Sequence, residues 1–150
     1  AQSRVLKRLL AGDNIALSAP TSFGKSFIID AFISIRKPDN VVIIVPTIAL
    51  ADETRRRIEH KFSGMYKIIT TTDATLRERN ILILPQERSF AYVGKFESID
   101  MLIVDEFYKA SSSFDDSRST SLLSAMIELG KIAKQKYYLA PNIHNIKENV

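Results

Sequence analysis

Short apolar runs rich in β-branched residues recur along the chain, at Ile15-Ala16-Leu17-Ser18, Val41 to Val45, Tyr66 to Thr70, Ile81 to Leu84, Met101 to Val104 and Tyr137 to Ala140. Each has the length of a buried strand. Amphipathic stretches fill the gaps. Gln2 to Ala11 ends at Gly12, Lys25 to Arg36 stops before Lys37-Pro38, and Thr47 to Lys61 stops near Ser63-Gly64, so each predicted helix has a cap or a breaker. A further helix, about Ser119 to Lys134, places Leu122, Leu123, Met126, Ile127 and Ala133 on one stripe. Strands alternating with helices predict an α/β fold, a mostly parallel central sheet flanked by helices. Residues 111–117 are polar and too short for a linker, and no internal repeat is present, so residues 1–150 are expected to form a single domain.

Composition excludes several classes. With 150 residues, 45% of them hydrophobic and 25% charged, the chain can bury a core without staples. It has no cysteine, and His60 and His144 are far apart in sequence, so neither a disulfide framework nor a zinc site can be drawn. No apolar run approaches the roughly 20 residues of a membrane helix. The opening Ala1-Gln2-Ser3-Arg4 also lacks the layout of a signal peptide, so a cytoplasmic location without a membrane partner is expected. The net charge of +4 leans toward a polyanionic partner, although solubility alone accounts for such a charge.

The chemistry concentrates at two places. Ala19-Pro20-Thr21-Ser22-Phe23-Gly24-Lys25-Ser26 follows the first predicted strand and opens the second predicted helix, the setting that a phosphate-binding Walker A loop requires. Backbone N–H groups of the loop and the first helical turn converge there, and the helix dipole adds partial positive charge. Gly24 allows the backbone to approach a phosphate closely, Lys25 supplies a full charge for the terminal phosphates, and the Ser26 hydroxyl completes the shell of a bridging Mg2+. Ala19 stands where the general pattern has glycine but is small enough for the turn.

Met101-Leu102-Ile103-Val104-Asp105-Glu106 is an apolar strand that ends in two acids. Parallel strands present their C-terminal ends to one crevice, so Asp105 and Lys25 can meet. Asp105 can hold the metal through water, while Glu106, pointing elsewhere, can orient and deprotonate the attacking water.

Together these residues resemble the first RecA-like P-loop NTPase domain of a superfamily 2 DExD/H-box helicase, over nearly the whole chain. The segment from Ala19 to Ser26 resembles motif I, which alanine commonly opens. Gln2, seventeen positions before Ala19 with Gly12 between, is similar to the Q motif that recognises adenine in DEAD-box and related proteins. Val45-Pro46-Thr47-Ile48-Ala49-Leu50 resembles motif Ia, whose threonine and helix N-terminus touch the backbone of a single strand, and Thr47 also suits an N-cap. Thr70-Thr71-Thr72 and Leu84-Pro85-Gln86-Glu87-Arg88 occupy the places of motifs Ib and Ic, which makes Thr71 and Gln86 candidate strand contacts beside Pro46 and Thr47. Arg55-Arg56-Arg57, interleaved with Asp52, Glu53 and Glu59, reads instead as a solvated helix face.

Two motifs depart from the pattern. Asp105-Glu106-Phe107-Tyr108 is neither the DEAD nor the DEAH form of motif II, and Ala140-Pro141-Asn142 stands where motif III usually reads Ser-Ala-Thr. ATP binding and water activation need only Lys25, Ser26, Asp105 and Glu106, so the departures bear on unwinding more than on hydrolysis.

The resemblance implies ATP with Mg2+ as cofactors and a single strand of RNA or DNA as partner. It also implies a second RecA-like domain outside these 150 residues, whose arginine stabilises the transferring phosphoryl group, so the stretch alone is expected to bind ATP and turn it over poorly. A small-molecule kinase or a GTPase would share the cradle, but no Asn-Lys-x-Asp-like base reader is present. The alternative from another class is a nucleotide-binding regulatory or scaffold module with vestigial hydrolysis, which Phe107, Tyr108 and the altered motif III permit.

Overall fold

The computed structural model describes residues 2–19, 24–105 and 116–141. Within them each of the apolar runs becomes a strand: β1 Ile15–Ala19, β2 Asn40–Val45, β3 Lys67–Ile69, β4 Asn80–Pro85, β5 Met101–Asp105 and β6 Lys136–Pro141. Their uniform apolarity has a direct cause, since both faces of the sheet are covered. Val41, Ile43 and Val45 enter one core with Ile81, Ile83, Met101 and Ile103, while Val42, Ile44, Leu82, Leu84, Leu102 and Val104 enter a second core on the opposite face. Alternate side chains of one strand therefore feed different layers, and in β2, β4 and β5 polar residues stand only at the ends, as Asn40, Asn80 and Asp105 do.

Helix α1 (Gln2–Leu10), α2 (Lys25–Arg36) and α3 (Ile48–Phe62) cover the first face. Helix α4 (Asp116–Ile132) and a 3-10 helix at Gln86–Tyr92 cover the second, through Leu122, Ala125, Leu129 and Tyr92. The 3-10 turn is not foreseen by apolar periodicity, being too short to show one. β3 is also shorter than the run from Tyr66 to Thr70 predicts: Tyr66 still belongs to the bend before the strand, its hydroxyl donating to the Pro38 carbonyl, and pairing with β4 ends at Ile69. Burial pushes the Tyr66 phenol up to about 12. Helix α2 ends as expected: Lys37 takes a left-handed conformation at φ 48°, its N–H closes onto the Ile33 carbonyl, and Pro38 prevents continuation.

The sheet is wholly parallel with strand order β1-β6-β5-β2-β4-β3. This order places β6 between β1 and β5, so their tips stand roughly 10 Å apart, two inter-strand spacings. At the N-terminal edge, away from the strand tips, Asp100 accepts the N–H groups of Asp39 and Asn40 at 3.0 and 2.9 Å. Gln135 donates to the carbonyls of Leu9 and Asp13 at 2.7 and 2.8 Å, which fastens the α1–β1 turn to β6. These polar clamps fix strand register, and the opposite edge is left for the site.

Candidate nucleotide and nucleic-acid site

Gly24, directly before α2, has φ 91° and ψ 35°, a conformation that disfavours any side chain. A Cβ on Gly24 would also meet the carboxamide of Gln2, the end of an exposed side chain that would have to shift aside. The two motifs separated in sequence are thus in contact, with Gln2 at the start of α1 lying over the start of α2. The N-cap of α2 is Gly24 itself, which has no side chain to bond the N–H groups of the first turn. Pro20, Thr21, Ser22 and Phe23 lie outside the described residues, and of Ala19 only the backbone is described.

The reach across β6 is closed by an ion pair. Lys25 Nζ lies 3.0 Å from Asp105 Oδ1, with side-chain exposures of 21% and 15%. Strand parity explains the meeting: Asp105 shares the face of Met101 and Ile103, which is the face on which α2 packs. Below it on the adjoining strand, Tyr137 is buried, and its hydroxyl has no hydrogen-bond partner among the described residues. Burial, and then the Asp105 charge, drive its ionisation above the ordinary tyrosine range. Glu106, Phe107, Tyr108 and Asn142 lie outside the described residues.

A cavity of about 260 Å³ opens beside the ion pair, lined among others by Lys25, Ser26, Glu53, Thr54, Arg57 and Asp105. The α3 residues were not singled out from sequence. The available signal is helical spacing, because Leu50, Glu53, Thr54 and Arg57 share one face of α3, and that face meets α2. The expectation of a solvated arginine face therefore needs correction. Three consecutive helical residues span about 200° and cannot share a face. Arg56 is solvated at 67% exposure, and Arg55 pairs along its own helix with Asp52 and Glu59, holding the Asp52 carboxyl below the usual range. Arg57 turns inward to Asp30 and the Ser26 carbonyl on α2.

The strand ends beyond β2, β3 and β4 share the C-terminal edge with Lys25. Thr47 is exposed at φ −138°, and its Oγ1 accepts the Leu50 N–H at 3.1 Å, so it is the N-cap of α3 as well as a surface hydroxyl. Thr71 is exposed, and its carbonyl accepts the hydroxyl of buried Tyr92 at 2.8 Å, a brace not anticipated from sequence. Pro46 is buried at the end of β2. Gln86 departs most from expectation: it is 4% exposed, and a strand laid on this edge would meet Glu87 and Arg88 before reaching it. Its position at the start of the 3-10 helix turns the side chain into the protein.

The groups present suit a nucleotide that carries its own metal. The described residues hold no cluster of three or more His, Cys, Asp or Glu that could cage an ion. A serine hydroxyl and one carboxylate beside a lysine leave most of the coordination shell to phosphate and water, as Mg2+ prefers. No helix of the described residues is long and apolar enough to cross a membrane.

A glycine turn that opens a helix, with its lysine paired to a carboxylate two strands away across an intervening parallel strand, defines a RecA-like P-loop domain. The DEAD/DEAH box helicase model matches residues 1–138, and the chain belongs to that family as the ATP-binding, first RecA-like domain of a superfamily 2 helicase, a family of nucleic-acid-dependent ATPases. Anti-bacteriophage protein B of Escherichia coli K12 is 36% identical over 155 residues, covering 97% of this chain and 21% of that protein, so the chain spans about a fifth of its relative. Two solved structures share the fold. The Sulfolobus solfataricus SWI2/SNF2 ATPase core in complex with dsDNA gives a TM-score of 0.69 at 15% identity, over 93% of this chain and 30% of that one. A nuclease-deletion mutant of the Type ISP restriction-modification enzyme LlaGI, in complex with a DNA substrate mimic, gives 0.71 at 14% identity, over 93% and 14%.

Proposed function

We propose that the protein containing this domain is an ATP-driven motor that moves along a single strand of nucleic acid, and that these residues bind the ATP. The observation that carries the reading is the Lys25–Asp105 pair at 3.0 Å beside a helix start whose N-cap is glycine, which gathers the charge, the donors and the carboxylate of a hydrolytic nucleotide site. In this reading the loop from Ala19 through Pro20, Thr21, Ser22 and Phe23 to Gly24 surrounds the phosphates, and Lys25 holds the terminal ones. Ser26 and Asp105 hold Mg2+, which neutralises phosphate charge when bound. Glu106 takes the proton of the attacking water. A second RecA-like domain of the parent closes the cleft and completes charge stabilisation. The defence against bacteriophage in the relative's name is read as the setting of this protein also, on the strength of identity across nearly all of the chain.

Gln2 reads the adenine edge, as its place against Gly24 supports. Gln2→Ala is expected to weaken ATP by about tenfold while leaving GTP within about twofold, because losing a hydrogen-bonding partner of the base costs about 1.4 kcal/mol. Competition binding with the two nucleotides checks this, and equal loss for both would return Gln2 to the helix surface.

The strand crosses the edge formed by Thr47, Thr71 and the outer residues Glu87 and Arg88 of the 3-10 helix, where hydroxyls and the N-terminus of α3 hold phosphates without reading sequence. Thr47→Ala is expected to weaken strand binding by the intact protein roughly five- to tenfold, about the value of one phosphate contact plus part of a helix cap. Arg56→Ala, on the solvated face, should change little beyond a charge effect that disappears at higher salt. A strand titration at two salt concentrations decides between them, and the reverse ranking would put the strand on another face.

A further inference from the structure

Asp30 lies in α2 at 5% exposure and receives two cations from α3. Lys61 Nζ is 2.7 Å from Oδ2, and Arg57 bonds Oδ1 through Nη1. A carboxylate so removed from water is tolerated only when paired and hydrogen-bonded, so this contact fastens α3 to α2. One cation would suffice for the charge, and Lys61 supplies it. Arg57 does something further: the same Nη1 also donates to the Ser26 carbonyl at 3.3 Å, in the first turn of α2, one residue beyond Lys25. At the other end of α3 stands Thr47, ten residues away and so about 15 Å along the helix axis.

We infer that Arg57 is a positioning residue through which α3 sets the first turn of α2, so that a strand engaged at the start of α3 alters the placement of Lys25 and Ser26. The inference rests on the reading of the parent as a strand-stimulated ATPase. α3 is an unbroken helix of 15 residues, and a displacement at its capped start is carried along it to Arg57. Anchored on buried Asp30, the guanidinium passes that displacement to the main chain that carries the phosphate-binding side chains. Lys61 shares the carboxylate but bonds only Asp30 on α2, and it stands half exposed.

The test measures ATP turnover by the intact protein with and without a saturating homopolymeric single strand, of DNA and of RNA in turn, together with strand affinity without nucleotide and the melting temperature. Arg57→Ala is expected to lower the ratio of stimulated to basal turnover about tenfold while strand affinity without nucleotide stays near that of the wild type, since coupling between sites is commonly worth 5–150-fold. Lys61→Ala should keep the wild-type ratio. Asp30→Asn, which removes the anchor of the guanidinium, should lower the ratio as Arg57→Ala does, and combining the two should add nothing. If Arg57→Ala fails to fold, Arg57→Lys takes its place with the same expectation, because it keeps the charge for Asp30 but is too short to span to the Ser26 carbonyl as well. A wild-type ratio in the Arg57 variant, or equal losses in the Arg57 and Lys61 variants, would reduce the network to a clamp and overturn the inference. An unstimulated wild type would instead overturn the motor reading, and this inference with it.

Discussion

Replacing Lys25 by alanine in the intact protein is expected to weaken ATP binding at least about 100-fold, roughly 3 kcal/mol, which lies within the cost of removing one partner from a desolvated charge pair. The side chain is 21% exposed and already held at the strand tips, so the ligand gains a charge whose freedom has been lost beforehand. The helix start would remain, because its N–H groups are backbone, and some phosphate affinity should persist. The substitution also strips Asp105 of the ammonium paired with it, so the melting temperature should fall together with the affinity. Calorimetry on the folded fraction separates the two effects. Undiminished affinity would mean that the phosphates lie elsewhere.

Glu106→Gln should have the opposite signature. The amide keeps the shape of the carboxylate but cannot accept the proton of water, so turnover in the parent protein should drop by about 10²–10⁴ while ATP binding is retained. Glu106 follows Asp105 directly at the end of β5. Single-turnover hydrolysis measured beside equilibrium binding is the discriminating experiment. Normal turnover would remove Glu106 from the role of base, and simultaneous loss of binding would mean that it supports the cradle instead.

The strands were legible because burial on both faces left no polar positions in Val41 to Val45, Ile81 to Leu84 or Met101 to Val104. The meeting of Lys25 and Asp105 could be anticipated from strand ends alone, since parallel strands share one edge whatever their order. The order itself, with β6 inserted between β1 and β5, could not be read, because nothing in a strand's own sequence names its neighbours. Gln86 and Arg57 failed for a related reason. A polar side chain after a strand reads as surface, yet the 3-10 turn buries Gln86, and a run of three arginines reads as one patch until the helix divides it. Arg57 belongs to a tertiary contact between α3 and α2, its partner Asp30 being 27 positions away in sequence.

The ion pair between Lys25 and Asp105 also makes the resting cleft self-neutralised. Lys25 cannot turn toward a phosphate and remain on the carboxylate at full strength, so ligand entry is an exchange of counter-charges. A carboxylate 15% exposed, once its ammonium is drawn away, needs a replacement cation. Nucleotide that arrives without a metal would offer Asp105 only more negative charge. The pair thus acts as a gatekeeper for composition: it can be opened at low cost only by a ligand that brings an anion for the lysine and a cation for the aspartate together.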